Sequence, residues 1–209
     1  MIFENRQEAG RQLAEALKEY AGKEVLVLAL PRGGVVLGYE VAKALGAPLD
    51  LVITKKISHP LDPEYALCAV AEEGEPLCNE VAMESLGKDW LEEAAQTVQK
   101  EIRRRREAYL GSRPFPEIRG RVVILVDDGI ATGLTMMAAI QEVRRHQPKE
   151  LVVAIPVTPG DTARRLEQLA DRLVSLKIDE HYLGYVGAYY RDFSQVEDEE
   201  VLRLLKEGA

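Results

Sequence analysis

The chain has 209 residues, a formal net charge of -8 and 46% hydrophobic residues. That length suits one compact α/β domain with a full core, and the acidic balance argues against wholesale nucleic-acid binding, which needs a cationic surface. No apolar run reaches membrane-spanning length and the opening MIFENRQEAG lacks an apolar segment of signal type, so a cytoplasmic protein with no membrane partner is expected. Cys68 and Cys78 have no metal-ligand spacing, and in a reducing compartment they are expected to be small hydrophobes instead of a disulfide.

In chain order, Asn5 to Tyr20 is an amphipathic helix with Ala9, Leu13, Leu17 and Tyr20 on one side, closed by Gly22. Val25 to Leu30 is unbroken apolar sequence, as for a parallel strand buried on both faces, and it runs into PRGG at Pro31 to Gly34. A helix through Val35, Val36, Tyr39, Val41, Ala42 and Leu45 then stops at Gly46. The next strand, Leu49 to Thr54, ends in Lys55 and Lys56, which suit either a ligand anion or a solvated exit, while His59 before Pro60 is a loop residue. Leu67 to Pro76 is a hairpin with Gly74 in its turn and Cys78 on the return strand. Residues 80–110 form a long helical region broken at Gly87. It carries the run Arg103 to Arg106, a solvated face paired with Glu92, Glu93, Glu101 and Glu107 or, on the sharper reading, a cationic surface for nucleic acid or an acidic partner.

The stretch Val122 to Met136 organises the rest. An apolar strand, Val122 to Val126, ends in two adjacent carboxylates, Asp127 and Asp128, and passes into a small-residue loop with Thr132, Gly133 and Thr135 before a helix. In open α/β sheets ligands bind at the carboxyl ends of strands, and a helix N-terminus offers unpaired N–H groups to an anion. The loop is therefore a phosphate cup, and the two carboxylates before it are acceptors for vicinal hydroxyls, a combination that fits a sugar phosphate. GIATGLT lacks the lysine of a P-loop, and no G-x-G-x-x-G follows any strand. Further strands at Leu151 to Val157 and Leu173 to Ile178, with a helix between them opening at Pro159, Gly160 and Asp161, complete a mainly parallel sheet of roughly five strands. The tail gathers Tyr182, Tyr185, Tyr189, Tyr190 and Phe193 before a short helix capped near Ser194.

The stretch resembles the ribose-phosphate signature of type I phosphoribosyltransferases. Ile124 to Val126, Asp127, Asp128, Ile130, Ala131, Thr132, Gly133 and Thr135 match it, whereas Gly129 stands where the family usually has an aliphatic residue. Arg32, Gly33 and Gly34 match the family's diphosphate loop, about ninety residues earlier, in the family's order and spacing. The resemblance implies a doubly wound α/β domain spanning 1–209, with a core at about 23–178, a hood from 1–22 and 179–209, and a helical insertion at about 80–110. It implies transfer of the 5-phosphoribosyl group from 5-phosphoribosyl 1-diphosphate to a nitrogen acceptor, with Mg²⁺ held mainly by substrate oxygens and no dedicated protein metal site. Asp127, Asp128, Arg32 and Lys56 would act in catalysis. Gly33, Gly34, Lys55, Ala131, Thr132, Gly133, Leu134 and Thr135 would join them in holding the substrate, under a mobile flap near the hairpin. Tyr189, Tyr190 and Phe193 would meet the acceptor.

Two departures bear on that acceptor. The loop aspartate of many 6-oxopurine enzymes is replaced by Ala131, and their lysine after the following strand by Val157, Thr158 and Pro159. Hypoxanthine and guanine are disfavoured, and proton handling would fall to water, the substrate's own anion, or a residue such as Glu72 or Asp192. The alternative is a sensor that binds 5-phosphoribosyl 1-diphosphate and regulates nucleic acid without catalysis. The sequence leaves a homo-oligomer open.

Overall fold

A computed structural model describes residues 2–208. Asn5 caps the first helix, α1 (Arg6–Ala16), by accepting from the Glu8 N–H at 2.8 Å, and a single 3-10 turn at Lys18–Tyr20 follows. The first strand, β1 (Val25–Ala29), leads into α2 (Gly33–Leu45), which Gly46 closes in the left-handed conformation. After β2 (Leu49–Leu51), the strands β3 (Lys55–His59), β4 (Asp62–Val70) and β5 (Leu77–Cys78) form a separate antiparallel sheet. The helices α3 (Glu80–Leu86) and α4 (Lys88–Leu110) meet at Gly87, and β6 (Val122–Val126), α5 (Leu134–Arg145), β7 (Glu150–Pro159), α6 (Gly160–Leu169) and β8 (Arg172–Asp179) complete the α/β core. The chain ends on α7 (Asp198–Glu207).

The main sheet is wholly parallel, in the order β2-β1-β6-β7-β8. Alternate residues of its apolar strands enter two separate cores, as a period of two requires. Val25, Val27, Ala29, Ile124 and Val126 pack with α1, α2 and α7 on one face, whereas Leu26, Leu28, Val123 and Leu125 pack with α5 and α6 on the other. Burial of both faces explains the strands' lack of polar alternation. Among the described residues, no helix is long and apolar enough to cross a membrane.

Four expectations need correction. The strand after α2 stops at Leu51, because Lys55 must leave the main sheet to pair with Val70 of the smaller one. The last helix starts at Asp198 with no side-chain cap, while Ser194 bonds instead to Asp192 within the preceding loop. Cys68 and Cys78 form a disulfide: the hairpin puts them directly opposite each other on β4 and β5, with Cα atoms 4.0 Å apart. Reasoning from ligand spacing and compartment did not include that register. Finally, the arginine run is not one cationic face. Arg106 turns inward and is 5% exposed, donating to Asp50 Oδ1 at 3.1 Å and to the Leu51 carbonyl at 3.1 Å. Arg105 lies against Tyr109, leaving Arg103 and Arg104 exposed.

Asp50 is 1% exposed on an edge strand, and Arg113 also reaches it at 3.2 Å, so two guanidinium groups and one carboxylate hold α4 and its exit loop to the sheet. Breaking such a pair leaves a buried charge without compensation. Asp50→Ala should therefore lower stability by about 3 kcal/mol or more, whereas Asp50→Leu combined with Arg106→Met should recover most of that loss. Urea unfolding of the three proteins checks this, and equal destabilisation by the single and double changes would contradict it.

Candidate active site

Because β1 and β6 are adjacent and parallel, the loops that follow them emerge side by side. The backbone joins them directly, the Leu30 N–H donating to the Val126 carbonyl at 3.0 Å. In the first loop the Pro31–Arg32 peptide is cis, and Gly33 and Gly34 lie hard against the acidic pair. A Cβ at Gly33 would come within 2.1 Å of Asp128 Oδ2, and one at Gly34 within 3.0 Å of Asp127 Oδ1 and 2.9 Å of the Val126 carbonyl. Both glycines are thus demanded by close approach. Arg32 stays 39% exposed at the head of α2, 3.8 Å from Asp198.

The two carboxylates differ in their surroundings. Asp128 accepts from Arg6 Nε at 2.9 Å, and its backbone carbonyl accepts from the Tyr190 hydroxyl at 2.5 Å. Arg6 in turn donates to the Ser194 carbonyl at 2.6 Å and lies 3.8 Å over the Phe193 ring. Asp127 has no such cation in direct contact. It keeps part of its surface open, yet dense packing and the neighbouring Asp128 charge push its carboxyl well above the ordinary range, outweighing the Asp128 N–H that donates to it at 2.8 Å.

The second loop leaves the start of α5 open. Gly133 adopts φ +81° before α5, where a Cβ would also meet Thr162 at 2.7 Å, and Thr162 donates its hydroxyl to the Ala131 carbonyl at 3.1 Å. Ala131 and Thr132 are exposed, and Leu134 and Thr135 are half-buried at the start of the helix, where N–H groups lack intrahelical acceptors. Gly129 has its own reason: a Cβ there would strike Val186 of the tail at 2.4 Å, so the usual aliphatic residue has no room.

Strand alternation divides the two lysines. Lys55 pairs with Glu101 of α4, whereas Lys56 lines a cavity of about 1100 Å³ together with Thr132 and Leu134. The structure thus brings Arg32, Gly33, Gly34, Asp127, Asp128 and the 131–135 loop to one sheet edge, with Lys56 on a cavity that reaches that loop. Lys55 is held away on an ion pair.

The aromatic expectation is corrected. Tyr189 is 2% exposed, donating to Asp179 at 2.7 Å and accepting from the Leu183 N–H at 3.0 Å. Tyr190 is buried too, and its burial and the nearby Asp128 charge raise its phenol far above the usual value, keeping it a donor. Neither ring offers a free face, because the tail folds back on the amino-terminal segment through the Phe3 and Tyr190 bridge. Phe193, half-buried, has Arg6 on one face. Glu72 and Asp192 are also committed, Glu72 to Arg106 at 3.7 Å and Asp192 to Ser194. Arg6 is the site residue that sequence reasoning missed: as the first residue of an amphipathic helix it carries no local signal for a partner 122 positions away.

Comparison with known proteins agrees with this geometry. Residues 2–191 match the family model described as phosphoribosyl transferase domain. A Mycobacterium tuberculosis H37Rv protein named "Putative phosphoribosyl transferase Rv0571c" is 39% identical over 208 residues, which are 98% of this chain and 46% of that protein. The chain thus spans about half the length of the curated relatives it matches. The crystal structure of TT1426 from Thermus thermophilus is 42% identical and superposes with a TM-score of 0.84 over the whole of both chains. AQ2163 from Aquifex aeolicus shares the fold alone, at 14% identity and a TM-score of 0.51, over 83% of this chain and 74% of that one.

The raised carboxyl of Asp127 has a consequence for stability. The folded protein holds a proton there that an unfolded aspartate loses above about pH 3.9. Stability linked to this group is therefore full below that pH and falls as pH climbs to the raised value. Asp127→Asn removes the titration. The unliganded variant should melt above the parent at pH 8, with the gap closing toward pH 4. Parallel melting profiles across that range would show that Asp127 is not perturbed.

Proposed function

The chain belongs to the phosphoribosyl transferase domain family, and on that premise we propose that it transfers the 5-phosphoribosyl group of 5-phosphoribosyl 1-diphosphate to a nitrogen acceptor, releasing diphosphate. The observation that carries this reading is the adjacency of the two loops: a glycine pair and arginine beside an acidic doublet, followed by an open helix N-terminus. The anion-binding 131–135 loop suits the 5-phosphate, through backbone N–H groups and the Thr132 and Thr135 hydroxyls. Asp127 and Asp128 suit the ribose hydroxyls, and the negative charge of Asp128, joined by that of Asp127 above its raised titration range, suits the cationic ring that forms as the C1 bond loosens. Arg32 and the cavity-facing Lys56 suit the departing diphosphate.

Mg²⁺ fits this donor set by its chemistry: Asp127 and Asp128 are adjacent carboxylates that keep part of their surface open at the sheet edge, and Asp127 has no ion pair among the described residues. Asp127 and Asp128 would hold the ion together with substrate oxygens, and when bound it would offset the charge on the diphosphate. Arg6 meanwhile fixes the Asp128 carboxylate by one ionic hydrogen bond.

The acceptor is a ring nitrogen that is already a good nucleophile, such as a pyrimidine-like or deprotonated heterocycle. Ala131 offers no acid or base. Thr158, in place of the lysine of 6-oxopurine enzymes, is buried and bonded to Ser175 at 2.9 Å. For the sensor alternative the arginine run offers only Arg103 and Arg104 as exposed cations, since Arg106 serves the fold and Arg105 lies against Tyr109.

The test is diphosphate release from 5-phosphoribosyl 1-diphosphate and Mg²⁺ with a panel of bases. Release should depend on one class of anionic or pyrimidine-like base and fall about 100-fold or more in Asp128→Asn, with a change in melting temperature of only a few degrees. Rapid turnover with hypoxanthine or guanine would refute the acceptor reading, and tight substrate binding without turnover on any base would favour the sensor.

A further inference from the structure

A second cluster of ionisable groups lies where the β4–β5 turn meets α5. Glu142 and His146 stand one helical turn apart, with Glu142 Oε1 3.9 Å from His146 Nε2. The turn supplies Glu73, and one ligating atom from each of the three residues lies within 4.8 Å of the others. Glu142 is 2% exposed, and its Oε2 is buried with no hydrogen-bond partner. An unsatisfied buried carboxylate oxygen is costly and calls for an explanation. Arg145, 46% exposed, forms a long ion pair with that oxygen at 3.8 Å, beyond hydrogen-bond reach. The cluster's frame is otherwise fixed. Gln141 donates to the Glu75 carbonyl at 3.2 Å, Gln99 donates to the Gly74 carbonyl at 2.9 Å, and the His146 ring stacks on Phe115 at 4.8 Å.

We propose that Glu73, Glu142 and His146 bind one divalent cation of the Zn²⁺ type, which pins the β4–β5 turn to α5. Two carboxylates match the ion's charge, and the imidazole nitrogen favours a first-row transition ion over Mg²⁺. Ligand bonds of about 2.0–2.2 Å require the three groups to draw together. The exposed Glu73 and partly exposed His146 have room to do so, and Arg145 can swing into solvent. A cation on the His146 side would face Glu142 Oε1, and binding through both carboxylate oxygens would also occupy the Oε2 that lacks a hydrogen-bond partner. This site is independent of the acidic doublet at the sheet edge, and its role is structural.

Chelator-treated full chain, free of Mg²⁺ and sugar phosphate, should bind one equivalent of Co²⁺, read from its visible absorption. Zn²⁺ should displace it and a large excess of Mg²⁺ should not. Both Glu142→Gln and His146→Ala should weaken binding at least tenfold, with His59→Ala and His181→Ala unchanged. Zn²⁺ should also raise the melting temperature of the parent protein by several degrees but not that of the two site variants, and slow amide exchange in the β4–β5 turn. Should Glu142→Gln fail to fold, His146→Ala decides alone. Absence of Co²⁺ binding, or binding that persists in His146→Ala, would overturn the proposal.

Discussion

Five parallel rungs between β1 and β6, from Val25 opposite Val122 to Ala29 opposite Val126, determine where the charged groups of this protein meet. Parallel neighbours end at the same sheet edge, so the PRGG and DDGIATG loops have to share space. Gly33 and Gly34 supply that space, because any side chain there would occupy positions that the Asp127 and Asp128 carboxylates hold. The apolar strands that make the pairing possible are buried on both faces, and the register cannot slip by one residue without exchanging the two cores.

On that frame the acidic doublet is uneven. Asp128 is compensated by Arg6 and tethered through its carbonyl by Tyr190, so the amino-terminal helix and the tail both converge on one residue. Asp127, one position away, has no such ion pair, and dense packing beside the Asp128 charge raises its carboxyl well above the ordinary aspartate range. A bound cation or a pair of sugar hydroxyls would relieve this imbalance, and the free protein carries it as a local instability of the kind expected where binding takes precedence over folding.

Local signals in the sequence account for the sheet, its helices and both loops. Two-sided burial leaves unbroken apolar strands, left-handed closures leave glycines such as Gly46, and the tight turn before α5 leaves small residues after a strand. What was illegible is long-range. Nothing near Arg6 announces Asp128, nothing in RRRR distinguishes the inward Arg106 from its neighbours, and nothing in a tyrosine-rich tail tells a buried ring from a stacking platform. Lys55 and Lys56 illustrate the boundary: the sequence places both at a strand end, but only pairing with β4 sends them to opposite sides.

The disulfide has a consequence for the hairpin that lines the large cavity. β5 is two residues long, too short for its ladder to hold it, and its residues Leu77 and Cys78 nevertheless form part of the cavity wall. The covalent link between Cys68 and Cys78 closes a short loop, a constraint worth about 2–3 kcal/mol against chain entropy. Where the thiols are reduced, that wall keeps only its short ladder and the hydrogen bonds of Gln99 and Gln141 to the turn. Reduction would thus remove the one covalent tie between the return strand and β4 and leave the parallel core untouched.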